Sequence, residues 1–144
     1  MKKLLLFSLV GIFLVSCNEV KNIKEPKSLE YKKYLKNYTL WKKQNIKNYS
    51  FKVKKDCSCK KTPPTKVVVK DGFISKAINL ETKKPIKNLD SLNSIDDYFV
   101  IIDKSLKKGF DIKTNYSSKY HYPKKIVIDN NGTVTITNFK VLKQ

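Results

Sequence analysis

One order of hydrophobic patterns occurs twice along this chain, and few folds accommodate it. Leu29, Tyr31, Tyr34, Leu35, Tyr38 and Trp41 fall at spacings near three and four, the period of a helix with one apolar face. Asn45 and Asn48 close that segment. Tyr49-Ser50-Phe51-Lys52-Val53 then alternates, as a half-buried strand does. Pro63-Pro64 marks a turn or rigid link. Lys66 to Lys70 is a β-branched strand, and Asp71-Gly72 is a strong hairpin signal leading into Phe73 to Ile78. Residues 79–93 carry few apolar side chains and include Pro85, which reads as a loop. Ser94 then caps a second helix, with Asp97 three positions on in the manner of a capping box, although Glu or Gln is the usual partner. Ile95, Phe99, Ile102 and Leu106 form its stripe, and Gly109 ends it. Phe110 to Tyr116 alternates again and Tyr122-Pro123 breaks the chain. Lys125 to Asp129 is a strand, Asn130-Asn131-Gly132 a turn, and Thr133 to Val141 the last strand.

The two halves therefore share the order helix, strand, proline turn, strand, glycine turn, strand. "KVVVKDGFI" in the first corresponds to "KIVIDNNGTV" in the second. The predicted fold class is α+β: an antiparallel sheet of about six strands with two helices packed on one face, a tandem of two helix-plus-three-strand units. That layering lets each amphipathic element bury its apolar side. Residues 29–144 make one domain, large enough to fold without a metal or a disulfide.

The N-terminus gives an address. Met1-Lys2-Lys3 is a positive start, and Leu4 to Val15 is an unbroken apolar and small run. As a helix it would be about 18 Å long, well short of the ~30 Å hydrocarbon core of a bilayer, so it reads as the core of an export signal. Leu14-Val15-Ser16-Cys17 resembles the lipobox of bacterial lipoproteins. The resemblance implies a signal peptide over residues 1–16, cleavage before Cys17 and acylation of the Cys17 sulfur. Two or three acyl chains hold a protein stably on a membrane where one is marginal. Residues 17–28, polar and carrying Pro26, then form a lipidated tether. The expected location is the bacterial cell envelope, anchored in a membrane, with the outer membrane favoured.

The formal net charge of +19 invites a nucleic-acid reading. Two features argue against it. An exported, anchored protein does not ordinarily meet nucleic acid, and every basic residue of the chain is Lys. Arg supplies the bidentate fork for guanine and phosphate, and this chain has none. A solvated lysine surface is the plain alternative; attraction to anionic lipid or polysaccharide beside the anchor is the sharper one.

Candidates for chemistry are few. Cys57 and Cys59 are the cysteines left once Cys17 is acylated. Residues i and i+2 of a straight strand stand about 6.6 Å apart, whereas a disulfide needs Cβ atoms about 3.5–4.5 Å apart. The pair closes only if the backbone bends, and exported compartments are oxidising. A short disulfide is the first reading. A redox-active pair is the second, although the motif is not CxxC at a helix start. Zinc would need two more ligands, and His121 is the single histidine. With one histidine and no Gly-x-Ser-x-Gly elbow, no nucleophile triad forms. No catalytic residue, cofactor or metal site is expected. Asp96-Asp97 lies where a helix dipole favours carboxylates, and Tyr31, Tyr34, Tyr38 and Trp41 read as core.

Together these residues resemble a family of small exported bacterial proteins called domain of unknown function 6174. The resemblance rests on Trp41, Asn48 to Phe51, Cys57 with Cys59, Val67 to Gly72, Ser94 to Phe99, and Tyr122, Pro123 and Ile126 to Asp129. It departs at His121, where the family favours Gly, and at Asn130-Asn131, in place of an acidic stretch. It brings no activity with it. The expectation is a non-catalytic binding module with an envelope protein or glycan as partner. A thiol redox protein using Cys57 and Cys59 is the alternative.

Overall fold

The computed structural model describes residues 28–57, 62–129 and 132–143. Residues 1–27, with Cys17 and nearly all of the tether, lie outside them, as do Cys59 and Asn130-Asn131. The described elements run α1 (Leu29–Lys43), β1 (Tyr49–Asp56), β2 (Thr65–Lys70), β3 (Phe73–Asn79), α2 (Ile95–Lys107), β4 (Ile112–Tyr116), β5 (Pro123–Ile128) and β6 (Gly132–Val141). All six strands join one sheet in the order β3-β2-β1-β6-β5-β4, and each neighbouring pair is antiparallel. The chain is an α+β protein with two helices packed against a six-stranded antiparallel sheet.

Local chemistry accounts for the elements. Ser28 caps α1 by accepting the Tyr31 N–H at 3.2 Å. Asn45, at φ 48°, takes the left-handed conformation that ends the helix. Ser94 and Asp97 form a reciprocal capping box: the Ser94 hydroxyl accepts the Asp97 N–H at 3.2 Å, and the Asp97 carboxylate accepts the Ser94 N–H at 2.8 Å. Asp71 and Gly72, at φ 53° and 87°, make the β2–β3 hairpin with both central residues left-handed, which matches the twist of the strands. Phe110 does not begin β4. Its N–H donates to Ser105 O in the helix-ending turn, so the strand starts at Ile112.

The order of elements repeats, as the pattern predicts, but the arrangement does not. β3-β2-β1 continues into β6-β5-β4 with strand sense reversed. A rotation carrying the first unit onto the second would turn the sheet over and place α2 behind it. Instead both helices lie on one face: the Tyr49 ring of β1 packs edge-on to Trp41 of α1, and its hydroxyl meets Ile95 of α2. The core fills that face with Tyr49, Phe51, Val67, Val69, Phe99, Ile102, Ile112, Ile126 and Ile136, all 2 % exposed or less. Leu29 and Leu35 of the α1 stripe stay exposed, and the aromatic residues Tyr31, Tyr34 and Trp41 carry its burial.

Two edges bound the sheet. Residues 79–86 fold back on β3, pairing Ile78 with Pro85, so the segment read as plain loop also covers an edge. At the other edge the Glu30 carboxylate accepts the outward Thr114 N–H of β4 at 3.4 Å.

Candidate functional site

A strand paired on both sides has two faces, and the helices use only one of them here. The cross-strand register assigns the other. Lys52 lies opposite Lys66 and Thr137, and Lys54 opposite Thr135. Ser50 lies opposite Val68 and Lys140, and Val68 opposite Lys76. In the second half Lys125 faces Thr135 and Asn115, and Lys113 faces Val127. The open face therefore carries lysine on every strand, with Thr133, Thr135 and Thr137 along β6 and the apolar Val68, Ile78 and Val127 between them. Asp56 is the one carboxylate in the described strands, and Lys54 holds it at 3.1 Å.

A bulge deepens the middle of this face. The register between β1 and β6 shifts between Ser50 and Lys52, and Asn138 takes φ 52° there. The extra residue turns Phe139 to the helix side, where it stacks on Tyr49 and Tyr122. It leaves Lys140 on the open side. The result is a hollow of about 220 Å³ lined by Ser50, Lys52, Lys66, Asn138 and Lys140, beside the Phe51 backbone. Ser50 is 6 % exposed, and no carboxylate lines the hollow. Lys52 beside Lys66 is a like-charge cross-strand pair, an arrangement that destabilises a sheet.

A second cavity, about 520 Å³, lies between the β2–β3 turn and the start of α2, and Asp90, Asp96 and Asp97 line it. Its carboxylates have structural tasks. Asp97 is committed to the capping box. Asp96 accepts from Trp41 Nε1 at 3.4 Å and Lys42 Nζ at 3.2 Å, tying α1 to α2. Among the described residues no group of three or more His, Cys, Asp or Glu side chains is placed to hold a metal ion.

The remaining sequence candidates are scattered. His121 sits in a turn at φ 61°, its N–H donating to Ser117 O. Cys57 follows directly on β1, while Cys59 and Cys17 lie outside the described residues. Tyr31, Tyr34 and Trp41 are buried and Tyr38 packs against the same core. Burial raises the hydroxyl pKa of Tyr49, Tyr98 and Tyr116, in each case by desolvation of the phenolate. Lys55, which points to the helix side near the end of β1, is shifted down by the same cause. No helix of the described residues is long and apolar enough to cross a membrane.

Sequence reasoning counted the lysines but did not place them. The signal was present: Lys52 and Lys54, then Lys66 and Lys70, recur at the period of two that puts residues on one face of a strand. What was missing was the pairing of strands distant in sequence.

The fold and this surface define a class: a two-layer α+β module with a helix-covered core face and a lysine-bearing face that neither helix covers. Residues 33–139 match the family of unknown function DUF6174, and the chain belongs to that family. No curated protein and no solved structure matches it.

Proposed function

We propose that this protein is a lipid-anchored lipoprotein of the bacterial envelope that works as a non-catalytic binding module through the open face of its sheet. The observation that carries the reading is the asymmetry of the sheet. One face is closed by helices and aromatic packing, while the other, which neither helix covers, carries lysine on every strand. Asp96 and Asp97, the carboxylates that could otherwise suggest catalysis, are engaged in a tie between the helices and a cap. The tetrad Leu14 to Cys17 supports the anchor. Cys17→Ser is expected to leave the precursor uncleaved and without acyl label. Normal maturation and membrane retention of that variant would refute the anchor.

Cys57 and Cys59 form an intramolecular disulfide in this reading, closing a loop too short to remove much unfolded-chain entropy. Thiol alkylation with mass spectrometry should find no free thiol before reduction and two after it. The variant Cys57→Ser/Cys59→Ser should keep its fold and its partner. Loss of function in a folded variant would favour the thiol redox reading instead.

A further inference from the structure

We propose that the open face docks on an anionic phospholipid surface, and that the hollow between Lys52, Lys66 and Lys140 receives a lipid phosphate. This rests on the envelope-lipoprotein reading for its location, but it is carried by the geometry of the face.

Three observations converge. First, carboxylates are segregated by layer. The helices intersperse Glu30, Asp96, Asp97 and Asp103 among their lysines, whereas the strands contribute lysines and the single, already paired Asp56. Both layers are basic, and the open side has almost no carboxylate to offset its lysines. Second, the like-charge pair Lys52 and Lys66 sits at the centre, with Lys140 one strand away on β6. Residues directly opposite across antiparallel strands stand about 4.5–5.5 Å apart, so three ammonium stems share a small area. An anion between them would remove the repulsion. The buried Ser50 hydroxyl and the Asn138 amide add neutral donors to the same hollow. Third, the lysines are spread in two dimensions rather than along one row: Lys125 and Lys113 of the second half share the side of Lys52 and Lys66. Mobile headgroups can follow a twisted sheet and meet lysines of several strands, while a single polysaccharide strand would meet one row. Lysine, a point charge without a fixed fork, suits mobile headgroups better than a rigid bidentate ligand.

The tether permits this orientation. Residues 18–28 reach at most about 40 Å when extended, several times the ~10 Å diameter of the helix layer. The domain can therefore turn its open face toward the bilayer while the anchor keeps its local concentration high. Each lysine near an anionic leaflet raises partitioning about fivefold. The effect fades as the Debye length contracts from about 10 Å at 0.1 M salt to about 3 Å at 1 M.

The test uses the acylated full-length protein on vesicles of phosphatidylcholine alone or with about a third phosphatidylglycerol. Lysine acetylation, read by mass spectrometry, reports which face is covered. Lys52, Lys66 and Lys140 should react about fivefold more slowly on the anionic vesicles, and the difference should vanish near 1 M salt. Lys36 and Lys104, exposed on the helices, should react equally on both. Lys52→Glu/Lys66→Glu should restore the reactivity of Lys125 and Lys140, with Trp41 fluorescence reporting the fold. If that variant does not fold, Lys52→Gln/Lys66→Gln takes its place. Co-sedimentation with the neutral vesicles reads the anchor alone, so a failed anchor and a failed face give different results. Equal reactivity on both vesicles, or protection on the helix side, would overturn the docking. So would equal protection by inorganic phosphate without vesicles, which makes free phosphate the ligand. Stronger protection by an acidic polysaccharide of matched charge would overturn it in favour of a glycan.

Discussion

Tyr49 joins the two halves of the molecule through one atom, and removing that atom tests how the fold is held. The residue is fully buried in β1, and its hydroxyl accepts the Ile95 N–H at 3.2 Å. Ile95 is the first residue of α2, where a helix has no intrahelical partner for its N–H groups. Ser94 and Asp97 satisfy two of those donors by the capping box, and Tyr49 satisfies the third from the sheet. Tyr49→Phe keeps the ring, with its edge contact to Trp41 and its stacks on Phe51 and Phe139. It strands a donor on a residue with no exposure. An unsatisfied buried donor costs ~1–3 kcal/mol, which for a domain of this size lowers Tm by about 4–12 °C. Urea unfolding should show the same loss as a lower midpoint with an unchanged slope. Ser94→Ala should cost ~1 kcal/mol by loss of the cap. Because both groups serve one helix end, the double variant should depart from additivity by more than ~0.5 kcal/mol. A Tyr49→Phe variant within ~0.5 kcal/mol of the parent would show that the hydroxyl does not secure α2.

Gly132 and Gly72 both have positive φ but differ in surroundings. A Cβ on Gly132 would collide with the Asp56 carbonyl and the Cys57 backbone, while one on Gly72 meets nothing within 4 Å. Gly132→Ala should therefore cost more than ~2 kcal/mol in thermal unfolding and Gly72→Ala about 1 kcal/mol; equal losses would refute the close approach of β6 to the end of β1. Glu30→Ala should lose ~1 kcal/mol and self-associate at high concentration, because it uncovers the Thr114 N–H on an edge strand. Glu30→Gln, which still accepts that bond, should stay monomeric by light scattering. At high pH the buried tyrosines become a liability. Tyr98, 1 % exposed, is pushed up to about 12 by burial, above the unfolded value near 10. A raised pKa gives stability that is complete below pH 10 and is lost as pH rises toward 12, at ~1.4 kcal/mol per pH unit for each such group. The tyrosinate absorbance of Tyr49, Tyr98 and Tyr116 should therefore rise together with unfolding, and titration of Tyr98 near pH 10 in the intact fold, read by its loss in Tyr98→Phe, would contradict its burial.

Features encoded within a few residues were legible in the sequence. Asp71-Gly72 demands a turn with two left-handed residues, and Ser94 with Asp97 closes a capping box through atoms three positions apart. The features that needed partners distant in sequence were not. Nothing near Asn138 announces that β6 carries an extra residue there; the bulge exists because β1 sets the register on its other side. The order of the two halves suggested a repeat, yet β1 pairs with β6, and that pairing reverses the second unit. The lysine face was hidden for the same reason. Lys52 and Lys66 are far apart in sequence and become neighbours only through the β1–β2 ladder.

That neighbourhood gives the salt dependence of stability a definite sign. Most folded domains lose a little stability in salt as their surface ion pairs are screened. Here the described ion pairs Lys33–Glu30, Lys42–Asp96, Lys54–Asp56 and Lys107–Asp103 all involve partly exposed side chains, where each is worth ~0–1 kcal/mol. Against them stand the repulsions of the open face within a chain of net charge +19. A like pair directly opposite across strands costs ~0.2–1 kcal/mol, and Lys52 has Lys66 on one side with Lys140 close by on the other. Screening weakens both sets, but in a chain of net charge +19 the summed long-range interactions are repulsive, so the net change favours the folded state. Tm should rise by a few degrees between about 10 mM and 0.5 M sodium chloride. Lys52→Gln should reproduce part of that gain at low salt and shrink the response, since the repulsion is already gone. If Tm falls as salt is added, or if Lys52→Gln lowers stability without altering the salt response, the open face is not a store of repulsion. The case for an anion seated at its centre would then lose its electrostatic basis.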